Sequence, residues 1–378
     1  MIYVDNAATT KLSEKALDAM MPYLTEECGN PSSVHVAGQK TAAAIQRARE
    51  EIAEVLNCSP KEIYFTSGGS EADNQAIISA ARIGARTGKK HILSTAFEHH
   101  AVLETLESLR DEGFVIELLT PLENDNITAS QVENAIRPDT CLVTAMYANN
   151  EIGSILPIAE IGEVCRKKGV LFHTDAVQAV GHINVDVKKD NIDMLSLSAH
   201  KFHGPKGIGV LYVKSGIELK SIILGGAQER GKRAGTENVP AIVGMAAALK
   251  ESAGAMDENA ANVRELSEKL IAGLSKIPGS FLNGATQNRL PGTVSFCFEG
   301  ISGEELVLLL SGKGICASSG SACASGSVKP SHVMLAIGRS EELARGALRL
   351  SLGEYNTEED IARILSEIPP LVDLLRKM

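Results

Sequence analysis

The stretch "SAHKFHGPKG" (198–207) places Lys201 just past a short β-forming run, with His200 and His203 beside it. A lysine at such a point is either a surface charge or an amine nucleophile whose pKa its surroundings lower. The run "VLFHTD" (170–175) ends in Asp175, and Gln178 follows three residues on. That carboxylate is either a helix cap or a charge partner for a bound group. A third run, "EIYFTS" (62–67), leads into Gly68, Gly69 and Ser70, with Glu71 opening a helix. A glycine turn at a helix N-terminus offers backbone N–H groups and the positive end of a dipole, which suits an anion. Neither nucleotide-phosphate fingerprint, G-x-G-x-x-G or G-x-x-x-x-G-K-S/T, occurs, so the expected anion is not a nucleotide phosphate. An anchored phosphate, a carboxylate for a pyridinium nitrogen and a lysine holding an aldehyde as a Schiff base are the three needs of pyridoxal 5'-phosphate. His200 and His203 lack a third ligand at a familiar metal spacing, so no metal is expected.

The stretch "CASSGSACASGSV" (316–328) raises a separate possibility, because Cys323 sits among Gly, Ala and Ser with Gly312 and Gly314 just upstream. Such a segment buries little apolar area, so it reads as a mobile loop, and its thiol is either incidental or has to travel. Cys316 reads as a small apolar residue packed just before that loop. The seven cysteines form no C-x-x-C pair and no zinc-like spacing with His. They suit a reducing compartment in which most are small buried hydrophobes.

The elements that hold these residues follow from the hydrophobic pattern. Apolar runs at 62–67, 91–96, 115–120, 141–147, 170–175, 194–199 and 209–213 alternate with segments such as "EADNQAIISAARIGA" and "IAEIGEVCRKKG", apolar at helical spacing. The second of these ends in basic residues and Gly169, as a helix C-terminus should. This alternation predicts an α/β chain with a mainly parallel sheet covered on both faces and ligands at the carboxyl ends of its strands. From about residue 251 a polar-faced helix, "ESAGAMDENAANVRELSEKL", opens a smaller α+β domain. We therefore expect a large domain over 15–255 and a small one formed by 1–14 and 256–378.

The chain has 378 residues, a net charge of -10 and no long basic run, which argues against a nucleic-acid partner. No apolar run spans a bilayer, and "MIYVDNAATT" has neither a basic start nor an apolar core, so no membrane is expected and the location expected is cytoplasmic.

In order along nearly the whole chain, "YVDNAATT", "GNPSSVH", "FTSGGSEADN", "EHHAV", "NNEIG", "HTDAVQ", "SAHKFHGPKG", "RAGTEN", "SSGSACAS" and "ALRLSLG" closely resemble the cysteine desulfurases. These are pyridoxal-phosphate enzymes of the class V aminotransferase-like group, with the aminotransferase-like fold (fold type I). The "SSGSAC" segment is similar to the subgroup with a long catalytic loop, which feeds iron–sulfur cluster and thiolation pathways. The resemblance implies conversion of L-cysteine to L-alanine, with sulfur passed to Cys323 as a persulfide. It implies that Lys201 holds the cofactor covalently, that Asp175 pairs with the ring nitrogen, and that Gln178 reaches the phenolic oxygen. His99 would stack on the ring and shuttle protons. Gly69, Ser70, Ser198 and His200 would hold the phosphate, and Thr236 would reach the phosphate of the other protomer of a homodimer. Asn150 and Arg349 would meet cofactor and substrate, with Arg349 gripping the amino-acid carboxylate. A protein sulfur acceptor, such as an iron–sulfur scaffold or a tRNA thiolation protein, is the implied partner. Two other readings stay open: a selenocysteine lyase or another pyridoxal-phosphate enzyme of this fold, and a non-catalytic sulfur-binding scaffold.

Overall fold

The computed structural model describes residues 1–122, 126–320 and 330–378. The strands in chain order are β1 (Ile2–Tyr3), β2 (Ile63–Thr66), β3 (His91–Thr95), β4 (Val115–Leu119), β5 (Thr140–Thr144) and β6 (Leu171–Asp175). They continue as β7 (Met194–Ser198), β8 (Gly209–Val213), β9 (Ser280–Leu282), β10 (Thr293–Phe298), β11 (Ile315–Cys316) and β12 (Ala347–Ser351). The seven apolar runs are the seven strands of one sheet, ordered β2-β8-β7-β6-β5-β3-β4. β4, β3, β5, β6 and β7 pair in parallel, while β8 runs antiparallel to both β7 and β2. Every residue of β3, β5, β7 and β8 is buried, because helices cover both faces of the sheet.

Local signals fix the helix ends. Helix Gly69–Ala85 starts directly after β2 with no side chain capping it. Helix Ile158–Lys168 ends in three basic residues and at Gly169, whose φ of 65° is the left-handed cap conformation that glycine adopts without strain. The polar-faced helix expected from 251 is two helices, Val239–Gly254 and Met256–Leu274, broken at Ala255.

A second, antiparallel sheet has the order β12-β10-β9. Its apolar cluster includes Val294, Phe296 and Leu350, together with Leu270 and Ile364 from the helices Met256–Leu274 and Glu358–Leu375. Ile2 and Val4 belong to the same cluster. β1 pairs in parallel with β11, so Cys316 lies in a strand, half-buried, and not in a loop. Ser318 bridges to Arg349 on β12. Cys323 and the looseness expected of its segment lie outside the described residues.

Cys141, Cys165 and Cys297 are buried as expected, Cys58 is half-buried, and Cys28 departs from the expectation by being exposed. Burial pushes the Cys141 thiol up to about 11 and that of Cys165 up to about 12, so both stay protonated and unreactive. No helix among the described residues is long and apolar enough to cross a membrane.

Candidate active site

A cavity of about 410 Å³ opens beyond the carboxyl ends of β6 and β7. Strand ends, turns and one helix start supply its walls, as expected for an open α/β sheet. Gly69, Ser70, Ser198, His200 and Lys201 line it, as do His99, Asn150, Asp175, Gln178 and Arg349. Ten of the twelve sequence-predicted residues are thus brought together. Thr236 is exposed and does not line the cavity, and Cys323 lies outside the described residues.

Lys201 follows β7 in a single 3-10 turn, Ala199–Lys201, which carries its amine back over the strand end. Its Nζ donates to the carbonyls of Ala7 at 2.6 Å and Ala8 at 2.8 Å. Asp175 closes β6 and accepts from the Val177 N–H at 2.9 Å, so it caps a turn rather than a helix. Burial raises its pKa, and His99, the Val177 amide and Lys201 work against that rise. Gln178 donates to the Ala7 carbonyl at 2.9 Å.

A second cavity of about 400 Å³ shares Gly69, Ser70, Ser198 and His200 with the first and adds Gly68, Thr9 and Lys206. It lies at the uncapped start of helix Gly69–Ala85, where backbone N–H groups lack intrahelical partners. A Cβ on Gly69 would come within 2.7 Å of Val177 Cγ2, so this backbone approaches its neighbour more closely than any other residue allows. His200 pairs through Nδ1 with Thr9 Oγ1 at 3.1 Å, and burial with Lys201 and Lys206 pushes its pKa down to about 4. His203 turns elsewhere, towards the Lys11 carbonyl and Glu354. The two histidines therefore do not face one another as a ligand pair.

His99 caps helix His100–Asp111 by accepting the Ala101 N–H at Nδ1, 3.1 Å away. Burial lowers its pKa, so the neutral ring carries its proton on Nε2. Arg349 reaches the cavity from β12. Its Nη1 donates to the Asn150 carbonyl at 3.0 Å and its Nη2 to Asp5 Oδ1 at 2.7 Å, while buried Nε has no hydrogen-bond partner among the described residues.

Sequence reasoning missed three buried acids and a backbone strap. Asp73 lies one turn after Gly69 on the same helix face, a spacing that could have revealed it. Carboxyl oxygens of Asp73 and Asp175 and a ring nitrogen of His99 all lie within 4.8 Å of one another. Two carboxylates that close repel by about 3.5 kcal/mol or more at an effective dielectric of about 20. Burial and then the Asp175 charge raise the Asp73 pKa well above the usual range. Burial also pushes Glu98 up to about 8 and Glu151 to about 7. Of the two acids that face His99, Asp175 has the Lys201 cation and the Val177 amide to favour its charge, whereas Asp73 has only a Ser196 hydroxyl and faces the Asp175 charge, so Asp73 is the acid held protonated.

These residues fit pyridoxal phosphate. There is an uncapped helix start for the phosphate, a carboxylate for the ring nitrogen, an amine, and an unsatisfied arginine nitrogen at the far end. A family model described as aminotransferase class-V matches residues 2–364. A protein named cysteine desulfurase IscS from Methanosarcina thermophila is 48% identical over 377 residues, covering 100% of this chain and 93% of its own. A protein of the same name from Clostridium botulinum is 49% identical over 380 residues, covering 100% of this chain and 96% of its own. Among solved structures, a NifS-like protein superposes with a TM-score of 0.93 at 38% identity, covering 99% of this chain and 100% of its own. SspA in complex with cysteine superposes at 0.83 and 39% identity, covering 94% and 100%. The match to the family model over almost the whole length shows that the chain belongs to the class-V aminotransferase family.

Proposed function

We propose that this chain is a pyridoxal-phosphate-dependent cysteine desulfurase that takes sulfur from L-cysteine, leaves L-alanine, and receives the sulfur on Cys323 as a persulfide. The observation that carries the reading is that an amine, a carboxylate, an uncapped helix start and an arginine line one cavity, in a chain 48% identical to a protein of that name. Bound pyridoxal phosphate supplies an electron sink that loosens bonds at the amino acid's α and β carbons.

In this reading the uncapped N–H groups after Gly68, with Ser70, Ser198 and neutral His200, hold the phosphate. Asp175 would keep a proton on the ring nitrogen, and Gln178 would reach the phenolic oxygen. Lys201, whose amine the Ala7 and Ala8 carbonyls hold in the cavity, would hold the cofactor's aldehyde and would move a proton at the substrate's α carbon. His99 would pack against the cofactor ring and offer the Nε2 proton that its cap bond at Nδ1 enforces. Arg349, fixed by Asp5 and Asn150, grips the substrate carboxylate with the Nε that has no other partner.

The Cys323 thiolate attacks the substrate sulfur. The S–S bond forms, the Cβ–S bond breaks with its electrons passing to carbon, and that carbon takes a proton to become the methyl of alanine. No outside oxidant is needed. A thiol with a pKa of about 8.5 is only a few per cent thiolate at neutral pH, so a nearby cation or imidazole must favour its charge.

The reading extends to a cytoplasmic homodimer in which exposed Thr236 reaches the partner's phosphate site, and to a protein acceptor such as an iron–sulfur scaffold or a tRNA thiolation protein. It also extends to a division into 15–255 and 1–14 with 256–378, which the separate apolar cluster of Ile2, Val4 and residues from 263 onward supports. The test is incubation with L-cysteine followed by alanine assay, intact mass and peptide mapping. One sulfur added at Cys323 with alanine formed is expected. Alanine made at the native rate by Lys201→Ala would sink the assignment.

A further inference from the structure

Glu151 has no part in the chemistry above, yet it is 5% exposed and lies beside Gly320 and Ser331, the described residues on either side of the Cys323 stretch in the chain. It belongs to the turn after Asn150, which Asn149 Oδ1 braces by accepting the Glu151 N–H at 2.8 Å and the Ile152 N–H at 3.0 Å. Its Oε2 accepts a 2.6 Å hydrogen bond from the Ser331 hydroxyl. The same hydroxyl caps the helix His332–Ala336. On the other side, a Cβ built on Gly320 would lie 2.9 Å from Glu151 Oε2, so the Gly320 backbone rests directly on this carboxyl. Gly320 is tied in turn to Ser318 by a 3.2 Å bond, and Ser318 pairs with the Arg349 backbone in both directions, at 2.6 and 3.1 Å. Residues 320 and 331, which precede and follow the Cys323 stretch in the chain, therefore meet on one buried oxygen. Asn150, the neighbour of that residue, accepts from Arg349.

A buried carboxyl is costly unless a specific geometry uses it. We propose that Glu151 is a positioning residue that fixes both feet of the Cys323-bearing segment to the Arg349 end of the cavity, so that the thiol is delivered in register with substrate held there. The carboxyl does not line the cavity. Its effect falls on sulfur transfer and not on the first encounter of cysteine with the cofactor. Gly320 follows the same logic, since any side chain there would collide with the oxygen that seats it.

This inference rests on the desulfurase reading, and stopped-flow measurement on the cofactor-loaded protein separates the two. The absorbance change of the cofactor on mixing with L-cysteine reports substrate arrival, and quenched samples analysed by mass report persulfide on Cys323. Glu151→Ala is expected to slow persulfide formation tenfold or more and leave the absorbance change within twofold of native. Glu151→Gln, whose amide oxygen still accepts from Ser331, is expected to stay within threefold in both. Should Glu151→Ala fail to fold, Ser331→Ala decides by the same split, with persulfide formation slowed at least threefold. Equal slowing of both readouts, or persulfide formation within twofold of native in a folded Glu151→Ala, overturns the proposal. A native protein that shows neither signal would instead refute the desulfurase reading.

Discussion

Glu98 offers a stringent test of the electrostatics beneath the cavity. Its side chain is fully buried, its Oε1 accepts from Thr95 Oγ1 at 2.6 Å and from the Met146 N–H at 2.9 Å, and its Oε2 has no partner among the described residues. Burial raises its pKa from 4.5 to about 8, with those two hydrogen bonds acting against the rise. Between these values the folded protein keeps a proton that the unfolded chain has lost, so stability falls as pH rises through the window. At about 1.36 kcal/mol per unit, the loss reaches about 4 kcal/mol by pH 8 and is small at pH 5. No discount for solvent applies to a side chain with no exposure.

Glu98→Gln keeps the accepting oxygen and replaces the proton-bearing one with an amide that does not titrate. Denaturant midpoints of native and variant, each loaded with pyridoxal phosphate, should therefore coincide near pH 5 and separate by about 4 kcal/mol in favour of the variant at pH 8. Taking the difference between the two proteins cancels every other titrating group. Parallel pH profiles, or a variant less stable than native at pH 8, would show that Glu98 is charged in the folded protein and that this account of the site is mistaken.

Asp73→Asn replaces an acid that burial and Asp175 already hold neutral, so cofactor affinity by equilibrium titration should stay within about threefold, about 0.7 kcal/mol. A tenfold loss would mean that Asp73 carries charge. Gly69→Ala forces a Cβ to within 2.7 Å of Val177 Cγ2 at the helix start. Overpacking of this kind costs about 1–3 kcal/mol, read as a loss of pyridoxal phosphate affinity of about fivefold or more, and native affinity would contradict it. Arg349→Lys cannot keep the bonds to Asn150 and Asp5 and also present a fork to a carboxylate. KM for L-cysteine should rise at least tenfold, from about 1.5–3 kcal/mol of lost charged hydrogen bonding, with cofactor affinity unchanged. A change confined to cofactor affinity would move Arg349 out of the substrate end.

The large sheet was legible because strands buried on both faces read as continuous apolar runs, and all seven such runs are strands. The reversal of β8 was not read, although a signal existed. Only residues 199–208 separate β7 from β8, too few for the crossover that a parallel neighbour requires. The break at Ala255 was missed because helical periodicity continues across it, although Gly254 directly before it was a signal that could have marked the site. Lys201 and Asp175 could be found from strand ends alone, whereas Arg349 came only through the family resemblance, since an arginine inside "ALRLSLG" looks like any edge-strand charge. Glu98 and Glu151 were hidden for a different reason. A carboxyl's pKa is set by what surrounds it in space, and Ser331, whose hydroxyl donates to Glu151, is 180 positions away in the chain.

The N-terminal strap shows why a search for reactive side chains is incomplete. Asp5 accepts from Arg349, and Asn6 Nδ2 and the Ala7 N–H both donate to Ser351 on β12. The Ala7 carbonyl accepts from Gln178 and Lys201, the Ala8 carbonyl from Lys201, Thr9 meets His200, and the Thr10 hydroxyl donates to the His200 carbonyl. Six consecutive residues thus join the strand that carries the arginine to the turn that carries the lysine. Ala7 and Ala8 work through their carbonyls, and a longer side chain at either would occupy cavity space that their methyls leave open. "DNAATT" therefore looks inert to any reading that asks which side chains can react, yet its backbone sets the position of the amine. The spacing between the substrate end and the cofactor end of this cavity is held by peptide groups, which sequence patterns of side-chain chemistry do not record.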